Sequence, residues 1–131
     1  MDKLADLAKT FPNIKIVLDH AGNPDFRTKA YFENWKKGMT KISKIENIIC
    51  KISGLGMGDH HWTKDSILPY VETCMNLFGI SRTIFATNWP VDGLYSDYSK
   101  LINTYIEITK DLSEDEKNAF FFKNAEEIYG I

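Results

Sequence analysis

The chain is poor in cysteine, carries no large excess of charge and has no long apolar run, and each shortage excludes a class of protein. Its two cysteines lack zinc-finger spacing and are too few for the disulfide framework of a small secreted domain. A net charge of −2 gives no basic field for nucleic acid or anionic lipid. No apolar stretch approaches the roughly 20 residues of a membrane span. We therefore expect neither a nucleic-acid partner nor a membrane partner.

The beginning of the sequence and its two thiols favour a cytoplasmic protein. The first six residues, MDKLAD, contain no apolar segment of the kind found in a secretory signal. Cys50 falls in a predicted strand and Cys74 in a predicted helix, and we interpret both as buried, reduced thiols. With 44% apolar residues, the 131-residue chain is long enough to form a core. We expect residues 1–131 to form a single domain.

Three short apolar runs that end in polar clusters predict three strands, over Ile14–His20, Ile48–Gly54 and Thr83–Pro90. The β-branched and aliphatic residues of the first run are typical of a strand buried on both faces. Apolar spacing predicts helices over Asp2–Thr10, 28–45, Lys64–Phe78 and 96–110, a short helix from a Ser113–Glu116 capping box to about Phe122, and a last turn from Asn124 to Gly130. The alternation of helices and strands predicts an α/β fold with a parallel sheet.

Polar residues follow each predicted strand at its carboxyl end. Parallel strands bring these ends to one edge, where the ligand sites of α/β folds lie. Because side chains alternate along a strand, one consistent arrangement places four residues at a single mouth: His20, Lys51, Ser53 and Asn88. In that arrangement Asp19 points back toward the helices. A purely structural role for a histidine at a strand end remains the alternative.

Five motifs in register carry a resemblance to a known family: Leu18–Pro24 (LDHAGNP), Lys51–Gly54 (KISG), Phe78–Arg82 (FGISR), Thr87–Asp92 (TNWPVD) and Asn124–Tyr129 (NAEEIY). Together they resemble the amidohydrolase-2 branch of metal-dependent hydrolases, which includes sugar-lactone and pyrone-dicarboxylate lactonases. The resemblance implies a (β/α)8 TIM barrel. A complete barrel takes about 250 residues. We therefore expect a partial barrel, equivalent to its sixth to eighth strands and thus to its carboxyl-terminal half.

The chain departs from this family's pattern in two places. Family members carry a His-x-His pair after the first strand, but His20, His60 and His61 are the only histidines here and none forms that pair. The last strand of these enzymes often ends in an aspartate that serves as general base, and Asn88 stands at that position. An amide can orient water or substrate but cannot accept its proton. Asp92 is the nearest carboxylate that could act.

The resemblance implies a hydrolase that opens a lactone, or another cyclic ester or amide, by attack of an activated water. His20 would donate to the carbonyl oxygen as it becomes an oxyanion, or would bind a metal. Lys51 would anchor a substrate carboxylate or hydroxyl, or would form an ion pair lining the barrel. Ser53 would contact substrate or serve as a structural hydrogen-bonding residue. Arg82 precedes its strand, so we interpret it as structural.

The loop after the second predicted strand is rich in glycine and carries His60, His61 and Trp62, for which we predict contacts with substrate. Adjacent side chains rarely aim at one point, so a metal site made by the two histidines is not expected. We expect no cofactor in this chain alone, and a divalent metal such as zinc in a complete enzyme.

Three hypotheses remain open at this stage. The first is a lactonase-like hydrolase that is inactive as this chain alone. The second is a non-catalytic remnant or interaction module that forms a homo-oligomer or pairs with a missing amino-terminal half, because open sheet edges associate readily. Its inner face would expose Ile16, Leu18, Ile84 and Ala86 to water. The third is an independent small α/β ligand-binding domain whose family motifs are coincidental.

Overall fold

The computed structural model describes all residues 1–131, and its centre is one parallel sheet. The strands are β1 (Ile16–Leu18), β2 (Ile48–Ile52) and β3 (Thr83–Phe85), in the spatial order β1-β2-β3. Both pairings are parallel, and β1 and β3 each pair on one side only. The predicted three-stranded parallel α/β fold is confirmed.

Six α-helices surround this sheet: α1 (Asp2–Thr10), α2 (Lys29–Ser43), α3 (Lys64–Phe78), α4 (Tyr98–Ile108), α5 (Glu114–Asn118) and α6 (Asn124–Tyr129). The predicted capping box of Ser113 and Glu116 is present at the start of α5. The predicted helix from this box to about Phe122 is present, but its second half is a π-helical turn over Ala119–Lys123 that joins α5 to α6. None of the helices combines the length and apolar character that a membrane crossing requires.

Each strand ends earlier than the sequence predicts because the polar clusters leave the extended conformation, and β1 also begins two residues later, at Ile16. His20 and Asn88 both have a φ of 54°, and Gly54 has a φ of 62°. These left-handed residues end hydrogen-bonded pairing, and the chain turns into loops at the carboxyl end of the sheet. The shortening therefore reflects the backbone of the residues for which a functional role is predicted.

The main core lies between one face of the sheet and the helices. It includes Cys50 and Ile52 of β2, Trp35, Met39 and Ile42 of α2, Val71 and Cys74 of α3, and Leu101 and Tyr105 of α4. Both cysteines are free and buried, as predicted. Burial raises the pKa of the Cys74 thiol, and the neighbouring Cys50 adds to that shift.

The register of the sheet corrects the predicted facing of β1. Leu18 aligns with Cys50 and packs on the core, and Ile16 also packs there. The prediction that Ile16 and Leu18 lie on the inner face is therefore wrong. Val17 and Ile49 pair on the inner face instead, because paired residues of neighbouring strands point to the same side.

The inner face is covered in part by the carboxyl-terminal segment of the chain. Ile84 is only 1% exposed and Ile49 only 4%, so the prediction that Ile84 is bare to water is wrong. The π turn and α6 contact β3, and Ile128 lines the same groove as Ile49. Asn124 anchors this segment by donating to the carbonyls of Ile80 and Thr83, at 2.7 and 2.8 Å.

Candidate functional site

The loop after β1 opens with a left-handed turn of four residues. His20, Ala21, Gly22 and Asn23 have φ values of 54°, 51°, 72° and 55°. The Asn23 amide closes the turn by donating to the His20 carbonyl at 2.8 Å. Left-handed backbone costs roughly 1–2 kcal/mol for each residue that carries a Cβ, apart from asparagine and aspartate. The turn redirects the His20 side chain away from the direction that strand alternation would give it.

The imidazole of His20 lies against the start of the loop after β2. Its Nδ1 is 2.9 Å from the Ser53 Oγ. The next residue, Gly54, passes so close that a Cβ there would lie 2.5 Å from the same nitrogen. The structure thus brings His20 and Ser53 together, as the convergence of strand ends predicts, while their chemical roles stay predictions.

Asn88 and Asp92 form a second polar pair, in the loop after β3. The Asn88 Nδ2 donates to Asp92 Oδ1 at 3.0 Å, and the Asp92 amide donates to the Asn88 carbonyl at 3.1 Å. Asp92 is 2% exposed, and this burial raises the pKa of its carboxyl above the ordinary value. The hydrogen bond from Asn88 and the charge of His20 oppose that rise.

Lys51 lies farther along the inner face, away from the rim. Its Nζ is 2.7 Å from Asp19 Oδ1 and 3.5 Å from the Tyr129 hydroxyl. Burial opposes the charge of Lys51, but the contacts with Asp19 and Tyr129 together outweigh it and raise the pKa of the ammonium. The prediction that Asp19 points toward the helices is wrong, since Leu18 takes that side. An ion pair lining the sheet is observed, and substrate binding by Lys51 stays a prediction.

The glycine-rich loop after β2 meets the loop after β3 through aromatic rings. His60 stacks on Tyr95 with ring centroids 4.4 Å apart and planes inclined by 12°. His60 and His61 are exposed, whereas Trp62 is 2% exposed and lies under the Lys100 ammonium, 4.1 Å from its ring centroid. Substrate contacts by His60, His61 and Trp62 stay predictions, and the Trp62 ring packs within the loop.

Arg27, which the sequence interpretation missed, joins the loops after β1 and β2. Its guanidinium donates to the Pro24 carbonyl at 2.8 Å and to the Leu55 carbonyl at 2.6 Å. It also lies 4.6 Å from the centroid of the Tyr70 ring. A Cβ on Gly58 would lie 2.3 Å from the Pro24 oxygen, so the two loops touch backbone to backbone. The only signal in the sequence is that Arg27 is one of just two arginines.

Arg82 lies at the opposite end of the sheet, and its structural interpretation is confirmed. It donates to the carbonyls of Ser43, Ile45 and Ile48 at 2.8, 3.2 and 3.1 Å. The groove beside it contains none of the predicted site residues.

The side chains of this chain do not form a complete metal site. No group of three or more His, Cys, Asp or Glu residues in the structure is arranged to hold a metal ion. A structural or catalytic zinc site needs at least three protein ligands, so His20 alone does not make one.

Curated proteins and solved structures resemble the chain, among them the following three. The uncharacterized protein y4mH of Sinorhizobium fredii is 41% identical over 131 residues, which are 100% of this chain and 44% of that protein. An L-fucono-1,5-lactonase of Burkholderia ambifaria is 32% identical over 105 residues, which cover 72% of this chain and 34% of the enzyme. A crystal structure of a zinc-bound amidohydrolase from Burkholderia multivorans is 22% identical with a TM-score of 0.92, covering 99% of this chain and 49% of that one.

The structural likeness shows that the sheet and its helices have the fold of part of an amidohydrolase TIM barrel. The chain spans about half the length of the zinc-bound amidohydrolase and less than half of either curated relative. The sequence profile described as amidohydrolase matches residues 1–131, so the hypothesis that the motifs are coincidental is wrong. Because that match covers the whole chain, the protein belongs to the amidohydrolase family.

Proposed function

We propose that this chain provides part of the active site of a hydrolase that opens lactones or related cyclic esters or amides. The observation that carries the proposal is a set of two polar pairs, Asn88–Asp92 and His20–Ser53, at the carboxyl ends of parallel strands. That edge is where barrel enzymes place their chemistry. The similarity to a protein named L-fucono-1,5-lactonase supports a sugar-type lactone as the substrate class.

In this proposal Asp92 is the general base. A general base works best when its pKa lies near the pH at which the enzyme operates. Burial raises the pKa of the Asp92 carboxyl above its ordinary value and so brings it closer to neutral pH. Asn88 holds one carboxylate oxygen through its amide and leaves the other free for a water molecule. Asn88 therefore orients the base and does not itself accept the proton.

His20 is the proposed donor to the carbonyl oxygen. Its Nδ1 is occupied by Ser53, so Nε2 is the nitrogen left to face a substrate. As the water oxygen bonds to the carbonyl carbon, negative charge grows on the carbonyl oxygen, and a positioned donor stabilises it. The ring C–O bond then breaks, and the proton held by Asp92 passes to the departing oxygen, which gives a hydroxy acid.

A divalent metal is the proposed cofactor of a complete enzyme, as zinc is bound in the similar amidohydrolase. A full set of ligands does not fit the residues of this chain, so no step above passes through a metal. His20, after the end of β1, is the residue proposed to contribute one ligand.

The open sheet favours a second, non-catalytic candidate for the chain on its own. β1 and β3 each have an unpaired edge, and the chain spans about half of the similar barrel. The proposed partner of these edges is the remaining set of barrel strands, or a further copy of this chain. Light scattering coupled to gel filtration tests this, because a monomer at all concentrations would contradict self-association.

The catalytic proposal is tested by a chimera in which residues 1–131 replace the matching segment of the Burkholderia multivorans amidohydrolase. We expect the folded chimera to open an aldonolactone, measured as acid release with a pH indicator, and the 131-residue chain alone to be inert. Asp92→Asn in the chimera should lower kcat by about 100-fold or more, as loss of a general base does.

Asp111→Asn is the matched control, since Asp111 is exposed and its rate should equal that of the parent chimera. A chimera that unfolds cooperatively yet opens no lactone would contradict the catalytic proposal. Lactone opening by the 131-residue chain alone, lost on His20→Ala, would instead overturn its proposed dependence on other barrel strands.

A further inference from the structure

We propose that Trp35 of α2 is a positioning residue that holds the left-handed turn at His20 and thereby aims the imidazole at Ser53. The inference rests on the proposed role of His20 for its functional meaning. The orientation of the imidazole, and its dependence on the indole N–H, can be measured whether or not His20 is catalytic.

The turn contains two residues that disfavour its conformation. His20 and Ala21 both carry a Cβ and have φ values of 54° and 51°. Neither is glycine or asparagine, the residues that adopt this conformation readily. Such a backbone persists only where surrounding contacts hold it in place.

Trp35 supplies the contact that reaches the centre of this turn. Its Nε1–H donates to the Ala21 carbonyl at 2.8 Å. Ala21 is 0% exposed and Trp35 is 6% exposed, so water does not readily replace the indole as donor. The hydrogen bond therefore binds a strained peptide group to a helix that is itself fixed in the core.

The indole has little freedom to follow a relaxing turn. Its ring lies 4.9 Å from the Tyr70 ring and 5.6 Å from the Phe32 ring, centroid to centroid. Without the N–H, the Ala21 carbonyl would be a buried acceptor with no partner, and the turn would gain by rotating it toward water. Rotation about Ala21 would then carry His20 away from Ser53.

The test is nitrogen NMR of the histidine side chains in the 131-residue chain, which has only three histidines. At a pH where the rings are neutral, we expect His20 to show one fixed tautomer. In Trp35→Phe the aromatic packing is kept and the donor is lost, so the His20 nitrogen shifts should move toward the averaged values of a free ring. His60 and His61 serve as internal references.

Trp62→Phe is the matched control. Trp62 is 2% exposed, and its indole N–H is buried without a partner, so the same atoms are removed but no hydrogen bond is lost. The His20 shifts should match wild type in this variant. Equal changes in Trp62→Phe and Trp35→Phe would overturn the proposal, as would a Trp35→Phe variant with wild-type His20 shifts.

A second variant keeps the test decisive if Trp35→Phe folds poorly. Ala21→Gly alone frees the backbone at that residue while the indole N–H stays in place, so His20 should keep its fixed tautomer if the hydrogen bond holds the turn. A folded Ala21→Gly variant with a mobile imidazole would contradict the mechanism. Failure of the lactone assay with these NMR results intact would count against the proposed function and leave the role of Trp35 standing.

Discussion

The two ends of the sheet differ in how their polar groups are paired. At the amino end, side chains of Arg82, Asn47 and Asn124 donate to backbone carbonyls. At the carboxyl end, Arg27 does the same, but polar side chains also contact one another: His20 meets Ser53, and Asn88 meets Asp92.

The two ends also differ in backbone strain, which lies at the carboxyl end of the sheet. The four non-glycine residues with positive φ are His20, Ala21, Asn23 and Asn88, and all of them follow the carboxyl ends of strands. The amino end thus uses polar groups to satisfy the main chain and stabilise the fold. The carboxyl end holds polar groups in strained backbone, which is typical of functional sites.

The largest expected loss of stability comes from removing the Arg82 hydrogen bonds at the amino end of the sheet. Arg82→Ala leaves three backbone carbonyls without their charged donor, so the free energy of unfolding should fall by about 3 kcal/mol. Urea denaturation of the 131-residue chain measures it. Lys110→Ala, at an exposed position, should change stability by less than ~0.5 kcal/mol. Similar losses in the two variants would remove the distinction between the ends.

An intermediate effect is expected from crowding the carboxyl end at Gly54. In Gly54→Ala, the left-handed backbone and the collision with the His20 ring should together lower the free energy of unfolding by about 2 kcal/mol. Gly130→Ala has a similar φ and nothing within 4 Å of the added Cβ, so it reports the backbone cost alone. Equal losses in the two variants would show that the loop can move away from the imidazole.

The smallest effect concerns protonation at the rim. Asn88→Ala removes a hydrogen bond that favours the Asp92 carboxylate, so the pKa of that carboxyl should rise further. Carbon NMR titration of the carboxyl carbons measures this shift, and Asn103→Ala on the exposed side of α4 is the control. In the chimera, the acid limb of the kcat/KM profile should move to higher pH. An unchanged or lower pKa would contradict the assigned hydrogen bond.

The stability of the chain should depend on pH in a matching way. The pKa of Asp92 is higher in the folded chain than its ordinary value, so folding favours the protonated carboxyl. This contribution is fully present below the ordinary pKa and is lost as the pH rises through the raised pKa. Asn88→Ala should extend it to higher pH.

The sequence predicts most of the fold because apolar spacing is a strong local signal. Helix α2 was expected over 28–45 and is observed over Lys29–Ser43, and the capping box of α5 is present. The facing of β1 was wrong because alternation was counted back from His20, which lies outside the strand in left-handed backbone. An alternation count holds only while the chain stays extended.

The candidate site was predictable only in part. Motif order and strand ends identified His20, Ser53, Asn88 and Asp92, which the structure brings together in two pairs. Arg27 and Trp35 were missed because their contacts join residues 28 and 14 positions apart. No local pattern records a bond from a side chain to a distant backbone carbonyl.

The backbone contact between Gly58 and Pro24 has a consequence for engineering new specificities. A side chain at Gly58 would force the neighbouring loop to shift, and Arg27 bonds to the Pro24 carbonyl of one loop and the Leu55 carbonyl of the other. The loops after β1 and β2 therefore form one structural unit, in which a shift of one loop requires a shift of the other. Replacing one of these loops with a loop from another barrel should succeed only when the loops after β1 and β2 are replaced together. The replacement should include the arginine that donates hydrogen bonds to both loops.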